Sequence, residues 1–272
     1  MQAYPPMAIE LLSPVVIVSA AIIFIILEHL FPYDRNQRAL RDGFWTDLIW
    51  YTIIQSYVLA YVISFIIRQV DSSTGFSRLH LVSGWPIWGQ LLFFLVTHDL
   101  YIYGFHRWQH HSAILWRIHE AHHSNRDVDW LAGSRSHALE ILINQTIEFL
   151  PMVLLGAAPE LPLIKGMVDA VWGMFIHSNI DVRLGRAGLL LNGPELHRWH
   201  HAREITEGGI NFGTKFAIWD VLFGTLIRPA TKPAGYGLTE PFPGGYFAQM
   251  VYAFRSFVSP AAESGGQEAT EA

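Results

Sequence analysis

The run PVVIVSAAIIFIILEHLF, residues 14–31, constrains this chain more than any other stretch. A bilayer offers no partner to backbone N–H and C=O groups, so an apolar segment of about 20 residues that crosses it is confined to helix. The run meets Glu28 and His29 only near its end, and no small-residue cleavage site follows it, so it reads as an anchor rather than a removed signal peptide. Residues 45–67 and 87–105 repeat the pattern, and 139–157 with 161–177 read as a helical hairpin turned at Ala158-Pro159. Glu148, Lys165 and Asp169 interrupt the last pair, so the expectation is an all-α polytopic bundle of four to five spans. The 272 residues are 51% hydrophobic and only 15% charged, against about 25% charged in a soluble domain, which agrees.

Basic residues set the expected orientation. Arg35, Arg38 and Arg41 follow the first span, Arg107, Arg117, Arg126 and Arg135 follow the third, and eight more lie beyond residue 178, whereas 68–86 holds only Arg68 and Arg78. Five spans with the N-terminus outside place every dense basic segment on the cytoplasmic side. The expected setting is a bacterial inner membrane or an ER-type membrane. No basic stretch suggests nucleic acid, and SPAAESGGQEATEA, residues 259–272, reads as a disordered tail. The implied division is 1–86 for the anchor spans, 87–230 for a catalytic domain and 231–272 for a C-terminal segment.

Histidine is the outlier: seven of fourteen fall between His98 and His123, and cysteine is absent. Thiolate sites and iron–sulfur clusters are thereby excluded, leaving His, Asp and Glu to hold any metal. HRWQH supplies His106 and His110, HEAHH supplies His119, His122 and His123, and HRWHH supplies His197, His200 and His201. On a helix, positions i, i+3 and i+4 share one face, so each box converges its imidazoles. Eight imidazoles exceed the four ligands of one tetrahedral zinc and suffice for two metals with open positions. His29, His80 and His98, isolated in apolar segments, read as packed residues instead.

HEAHH also satisfies H-E-x-x-H, which offers a competing zinc protease with His119 and His123 as ligands, Glu120 as general base and Asp169 as a third ligand. A membrane metal transporter or storage protein, or a bis-His haem protein, is the other rival. The third box, where Arg198 stands in the place of Glu120, argues that H-x-x-H-H is the working unit.

In order along the chain, HDLYIYGFHRWQHH, LWRIHEAHHS, FIHSNID, ELHRWHH and NFGTKFAIWDVLFGT resemble the sterol desaturase / fatty acid hydroxylase superfamily of integral-membrane oxygenases, over roughly residues 90–228. The resemblance implies a dimetal centre on a cytoplasmic cap, generally two iron ions, with zinc possible in the purified protein. Its ligands would be His106, His110, His119, His122, His123, His177, His197, His200 and His201, with His137 in a second tier. His98 and His111 are adjacent extras. Asp99, Asn211 and Asp220 match polar positions that would support the imidazoles, although GGIN departs from the residues usual before the Asn. The implied reaction hydroxylates or desaturates a C–H bond of a lipid (fatty acyl, sterol or related). It uses O2 and NAD(P)H-derived electrons delivered by a separate ferredoxin or cytochrome b5-type carrier.

Overall fold

The computed structural model describes residues 7–205 and 208–256; the expected tail at 259–272 lies outside them. Among the described residues the chain is helical throughout, with two isolated β-bridges, Pro32 to Ile180 and Ala202 to Tyr236, as its only extended pairing. Five long helices make the bundle: α1 (Met7–Leu30), α2 (Ser56–Thr74), α3 (Ile87–His111), α5 (Ala138–Leu154) and α6 (Leu161–His177). Short helices α4 (Ala113–His123), α7 (Pro194–His200), α8 (Ile218–Phe223) and α9 (Tyr246–Tyr252) lie in the segments between and after them.

The long helices run alternately up and down. At one end, the stretch after α1 pairs with the stretch after α6, where Asp181 N–H donates to Phe31 O at 2.8 Å. At the other, the loop before α3 meets the turn after α5, where Val82 N–H donates to Leu155 O at 3.1 Å. There Gly156, at φ +70°, packs so close to His80 that a Cβ would stand 2.9 Å from its Cα. A left-handed backbone and no side chain are both required at that turn, which is a glycine's role.

α3, α5 and α6 form the centre. Phe94, Met152, Leu161 and Val82 seal the turn end, α2 lays Leu59, Ile63 and Ile67 on α5, and α1 lays Ala20 and Phe24 against α6 and Ile180. Only 6% of the apolar window of α1 is buried, with Val15, Val18, Ile22 and Ile26 turned outward. Tyr57, Tyr61 and Phe65 do the same on α2. A contiguous apolar surface of this kind needs lipid or a partner to cover it.

Leu11–Leu30 and Thr46–Thr74 are long and apolar enough to span a bilayer. The second begins as a π-helical segment, Thr46–Gln55, before passing into α2. Its wider turn takes Asp47 inward, where Arg41 Nη2 and Arg135 Nε each donate at 2.7 Å. Arg41 also meets Asp129 at 3.0 Å, so this buried charge group ties the loop after α1 to the loop before α5. α5 and α6, at 17 residues each, reach about 25 Å at 1.5 Å per residue, just short of a hydrocarbon core of about 30 Å.

Candidate metal centre

Ser112 alone separates α3 from α4. Its extended backbone (φ −120°, ψ 116°) breaks the helix, and its Oγ accepts the Leu115 N–H at 3.4 Å to start the next. The chain folds back there, so that the first box, in the last turns of α3, faces the second, in the last turns of α4. α6 delivers His177 from its final residue, and α7 carries the third box. Arg198 fixes α7 to the segment after α6 by donating to Ser178 O at 3.0 Å and Ile180 O at 3.1 Å, while its guanidinium stacks 3.6 Å above the Tyr33 ring.

All nine imidazoles are buried and divide into two groups, each with its ring nitrogens within 4.8 Å of one another. The first joins His106, His110, His119, His123 and His200; the second joins His122, His177, His197 and His201. The rings of His123 and His201, 4.6 Å apart, connect the two. The first box stays whole in the first group, but the other two are split: His122 leaves its neighbours for the second group, and His200 leaves its own for the first.

Four backbone carbonyls orient the rings. Nδ1–H of His106 donates to Phe212 O at 2.9 Å, His200 to Ile210 O at 2.8 Å, His122 to Arg135 O at 3.1 Å and His177 to Gly173 O at 2.8 Å. A neutral imidazole carries one proton, so in each of these the Nε2 is a bare lone pair. Burial enforces neutrality: it pushes the pKa values of His119, His123, His197, His200 and His201 well below the usual imidazole range, and neighbouring imidazoles reinforce the shift.

These lone pairs converge. His122 Nε2 and His177 Nε2 are 3.4 Å apart with no proton available between them, and His200 Nε2 is buried with no hydrogen-bond partner among the described residues. Within the second group, His177 lies 2.8 Å from His197 and 3.2 Å from His201, Nε2 to Nε2; in the first, His119 lies 3.0 Å from His106 and 3.1 Å from His123. Two nitrogens each about 2.1 Å from one cation stand about 3.0 Å apart at a right angle and about 3.4 Å apart in a tetrahedron. The spacing and the protonation pattern both fit a metal ion in each group.

One carboxylate reaches an imidazole here. Glu140 Oε1 accepts His119 Nδ1–H at 2.7 Å and Gln109 Nε2–H at 3.0 Å. Metal-bound imidazoles are commonly held this way. Sequence reasoning missed it. The available signal was a glutamate in the first turn of an apolar helix, facing the Gln of HRWQH.

The expected polar supports act at one remove. Asp99 touches no imidazole. It accepts from Thr214 Oγ1, Lys215 N, Phe216 N and Trp219 Nε1 at 2.6–3.0 Å, fixing the turn before α8. Asp220 accepts the N–H groups of Phe212 and Gly213 at 2.8 and 2.9 Å and so holds the strip whose carbonyl orients His106. Asn211 sits between the two accepting carbonyls of this strip, those of Ile210 and Phe212, at φ +53°, a left-handed conformation that Asn tolerates better than most residues. Its side chain bonds Leu196 O at 3.2 Å and both backbone groups of Ile227 at 2.8 and 2.9 Å.

His137 joins neither group. Its Nδ1 accepts Leu139 N–H at 3.1 Å as the cap of α5, and its Nε2 donates to Met250 O at 3.0 Å, so both nitrogens are committed to backbone. His111 is exposed and bonds Arg107 O at 2.7 Å. Glu120 turns away from both groups to pair with Arg255 at 2.8 and 2.9 Å, beside a separate cavity of about 780 Å³. Asp169 pairs with Lys165 and Lys215 and lies outside both His groups. The protease arrangement of His119, His123, Glu120 and Asp169 around one zinc is therefore not assembled.

Residues 91–225 match the family described as fatty acid hydroxylase. The chain is 30% identical over 249 residues to an ornithine lipid hydroxylase of Rhizobium tropici, an alignment covering 88% of this chain and 75% of that one. It is 32% identical to the alkylglycerol monooxygenases of Homo sapiens, over 143 residues, and of Danio rerio, over 166. Those alignments cover 53% and 61% of this chain but only 32% and 36% of the relatives. No solved structure matches.

Proposed function

Because this chain belongs to the fatty acid hydroxylase family and is an oxidoreductase, we propose that it is a membrane-bound di-iron oxygenase that inserts oxygen into a C–H bond of a lipid. The carrying observation is the pair of buried nitrogen groups whose protonation leaves lone pairs facing one another. His106, His110, His119, His123 and His200 would hold one iron, and His122, His177, His197 and His201 the other. Iron held there supplies the redox chemistry that turns O2, two electrons and two protons on a C–H bond into an alcohol and water.

The chain's own residues bind, orient and exclude water. The carbonyls of Ile210, Phe212, Arg135 and Gly173 keep four rings in one tautomer, and Glu140 keeps a fifth pointed inward. Below the rings opens a cavity between α3, α5 and α6, walled by Ile102, Phe105, Ile141 and Ile176, through which a lipid can bring a C–H bond to the imidazoles. We place α3, α5 and α6 in the membrane with α1 and α2, and the two groups on the cytoplasmic side, where basic loops gather. Electrons reach the site from a separate ferredoxin or cytochrome b5-type carrier drawing on NAD(P)H. The lipid substrates named for the two relatives support a lipid here.

The imidazoles close into two compact groups at one end of the bundle instead of running in file along it, which argues against a transport pore. Elemental analysis of protein purified without oxygen tests the reading: two irons per chain are expected, and a single zinc with peptidase activity overturns it. Glu120→Gln should leave lipid oxidation standing and His200→Ala should abolish it.

A further inference from the structure

α9 turns its polar side inward and its apolar side outward. Gln249 is buried; its Oε1 accepts the Tyr51 hydroxyl and its Nε2 donates to Pro243 O at 2.6 Å. Tyr246 OH donates to Gln55 Oε1 at 2.8 Å, and Met250 O accepts His137 Nε2–H at 3.0 Å. Outside stand Phe247, Val251 and, just past the end of the helix, Phe254, exposed to 63%, 71% and 68%. Residues four and seven apart share one helical face, so these three form a single stripe. A helix on the surface of a water-soluble domain carries such a stripe on its inner side. The inversion means that the medium outside α9 is not water.

Three things can cover such a stripe: the rest of the chain, a second copy, or lipid. Beyond Val258 the sequence SPAAESGGQEATEA holds no large apolar residue to lay against two phenyl rings. Three side chains fall far short of the roughly 20–30 residues a side of a stable protein interface. Continuity favours lipid. Trp50, near the start of the membrane-length helix Thr46–Thr74, stacks on Tyr246 at 5.6 Å and meets Phe247 edge-on at 4.9 Å. Ile49 and Ile53 on that helix, and Leu139 and Ile143 in the first turns of α5, are exposed as well. The stripe of α9 thus extends the apolar surface of the bundle. Its partners Tyr51 and Gln55 hold it level with the start of that helix, where Trp45, Trp50 and Tyr246 also gather. Trp and Tyr concentrate at the boundary between acyl chains and water.

We propose that α9 is an interfacial helix: it lies in the headgroup layer of the bilayer, with Phe247, Val251 and Phe254 in lipid and its polar side on the protein. It lies beyond residues 91–225, the stretch that matches the family. Just after it, Arg255 grips Glu120 at 2.8 and 2.9 Å, on the outer side of the helix that carries the second box. The bilayer surface is thereby tied to α4. The inference goes beyond the oxygenase reading and rests only on the membrane placement of α2.

The chain has no cysteine, so single cysteines can be labelled without background. Val251→Cys and Phe254→Cys, each carrying a polarity-sensitive fluorophore, are read in full-length protein reconstituted into phosphatidylcholine–phosphatidylglycerol vesicles. Two quenchers are used, aqueous iodide and spin-labelled lipid. Tyr57→Cys, exposed on α2, is the lipid reference, and Glu240→Cys, exposed ahead of α9, is the aqueous one. Both α9 labels should be quenched by the spin-labelled lipid, and by iodide about 3- to 10-fold less than the Glu240 label. Adding Phe247→Glu, which puts a charge in the stripe, should raise iodide access at the Val251 label. Iodide access equal to that at Glu240 overturns the proposal. Shielding from iodide without quenching by lipid means that protein covers the stripe, and overturns it too. If lipid leaves the Tyr57 label unquenched as well, the membrane placement of α2 falls with it. None of these readouts needs iron or turnover, so a failure of the oxygenase reading shows separately, in the metal content.

Discussion

Asn211 offers the sharpest test of how the rings are held. Replacing it by Ala removes three side-chain hydrogen bonds, a buried one to Leu196 O and two partly buried ones to the backbone groups of Ile227. At about 1 kcal/mol each this costs about 3 kcal/mol. Alanine in a left-handed conformation adds about 1–2 kcal/mol, since its Cβ crowds the following carbonyl. Asn211→Gly loses the same bonds without that strain, so the two variants should differ by about 1–2 kcal/mol. On the di-iron reading the backbone on either side is what would matter to the metal, because the carbonyls of Ile210 and Phe212 orient His200 and His106, both in the first group. Purified in detergent, Asn211→Ala should unfold at a lower temperature than Asn211→Gly, and Asn211→Gly at a lower one than wild type. Iron loss should follow the same order and fall first on one of the two ions. Two irons retained in Asn211→Ala, with an unchanged midpoint, would refute the reasoning.

Three further outcomes are expected. Glu140→Gln, which removes the charge behind His119, should weaken iron retention about 10- to 100-fold in competition with a chelator; equal retention would mean that Glu140 is only packing. Gly133→Ala puts a Cβ 2.5 Å from His177 Nδ1, so it should displace that ring and lower iron from two toward one per chain. In chelator-treated protein, imidazole pKa values lie below the unfolded value for His119, His123, His197, His200 and His201, so the unfolded chain binds more protons as pH falls below about 6.5. Stability should therefore be full above that pH and decline below it, seen as a falling thermal midpoint from pH 7 to pH 5.5, and a flat profile would contradict the burial of neutral rings.

The three boxes were legible because helical spacing alone converges their rings. The division into two groups was not, since it depends on the break at Ser112 and on how α7 docks, neither of which has a period. His177 carries no local spacing signal and entered through resemblance. The orienting carbonyls were out of reach for a simpler reason: every residue has one, and only a folded backbone selects Ile210, Phe212, Arg135 and Gly173. Asp99 and Asp220 were noticed, yet they work on the loop that carries those carbonyls and not on the rings. Glu148, Lys165 and Asp169 read as flaws in weak spans. Brought together, they pair: Lys165 Nζ lies 2.5 Å from Glu148 Oε1 and 2.7 Å from Asp169 Oδ2. The π-helical turn that takes Asp47 inward left no pattern in TDLIWYTIIQ.

The split of the second and third boxes between the two groups also bears on how the protein is made. Four of the five rings in the first group come from residues 106–123, so that group is nearly complete soon after this stretch leaves the ribosome. The second has only His122 by then and waits for His177, His197 and His201, the last of them 79 residues later in the numbering. On the di-iron reading, synthesis itself thus imposes an order of assembly: the early group would take its ion while α5 and α6 are still unmade, and the late one would close as the third box folds down beside it.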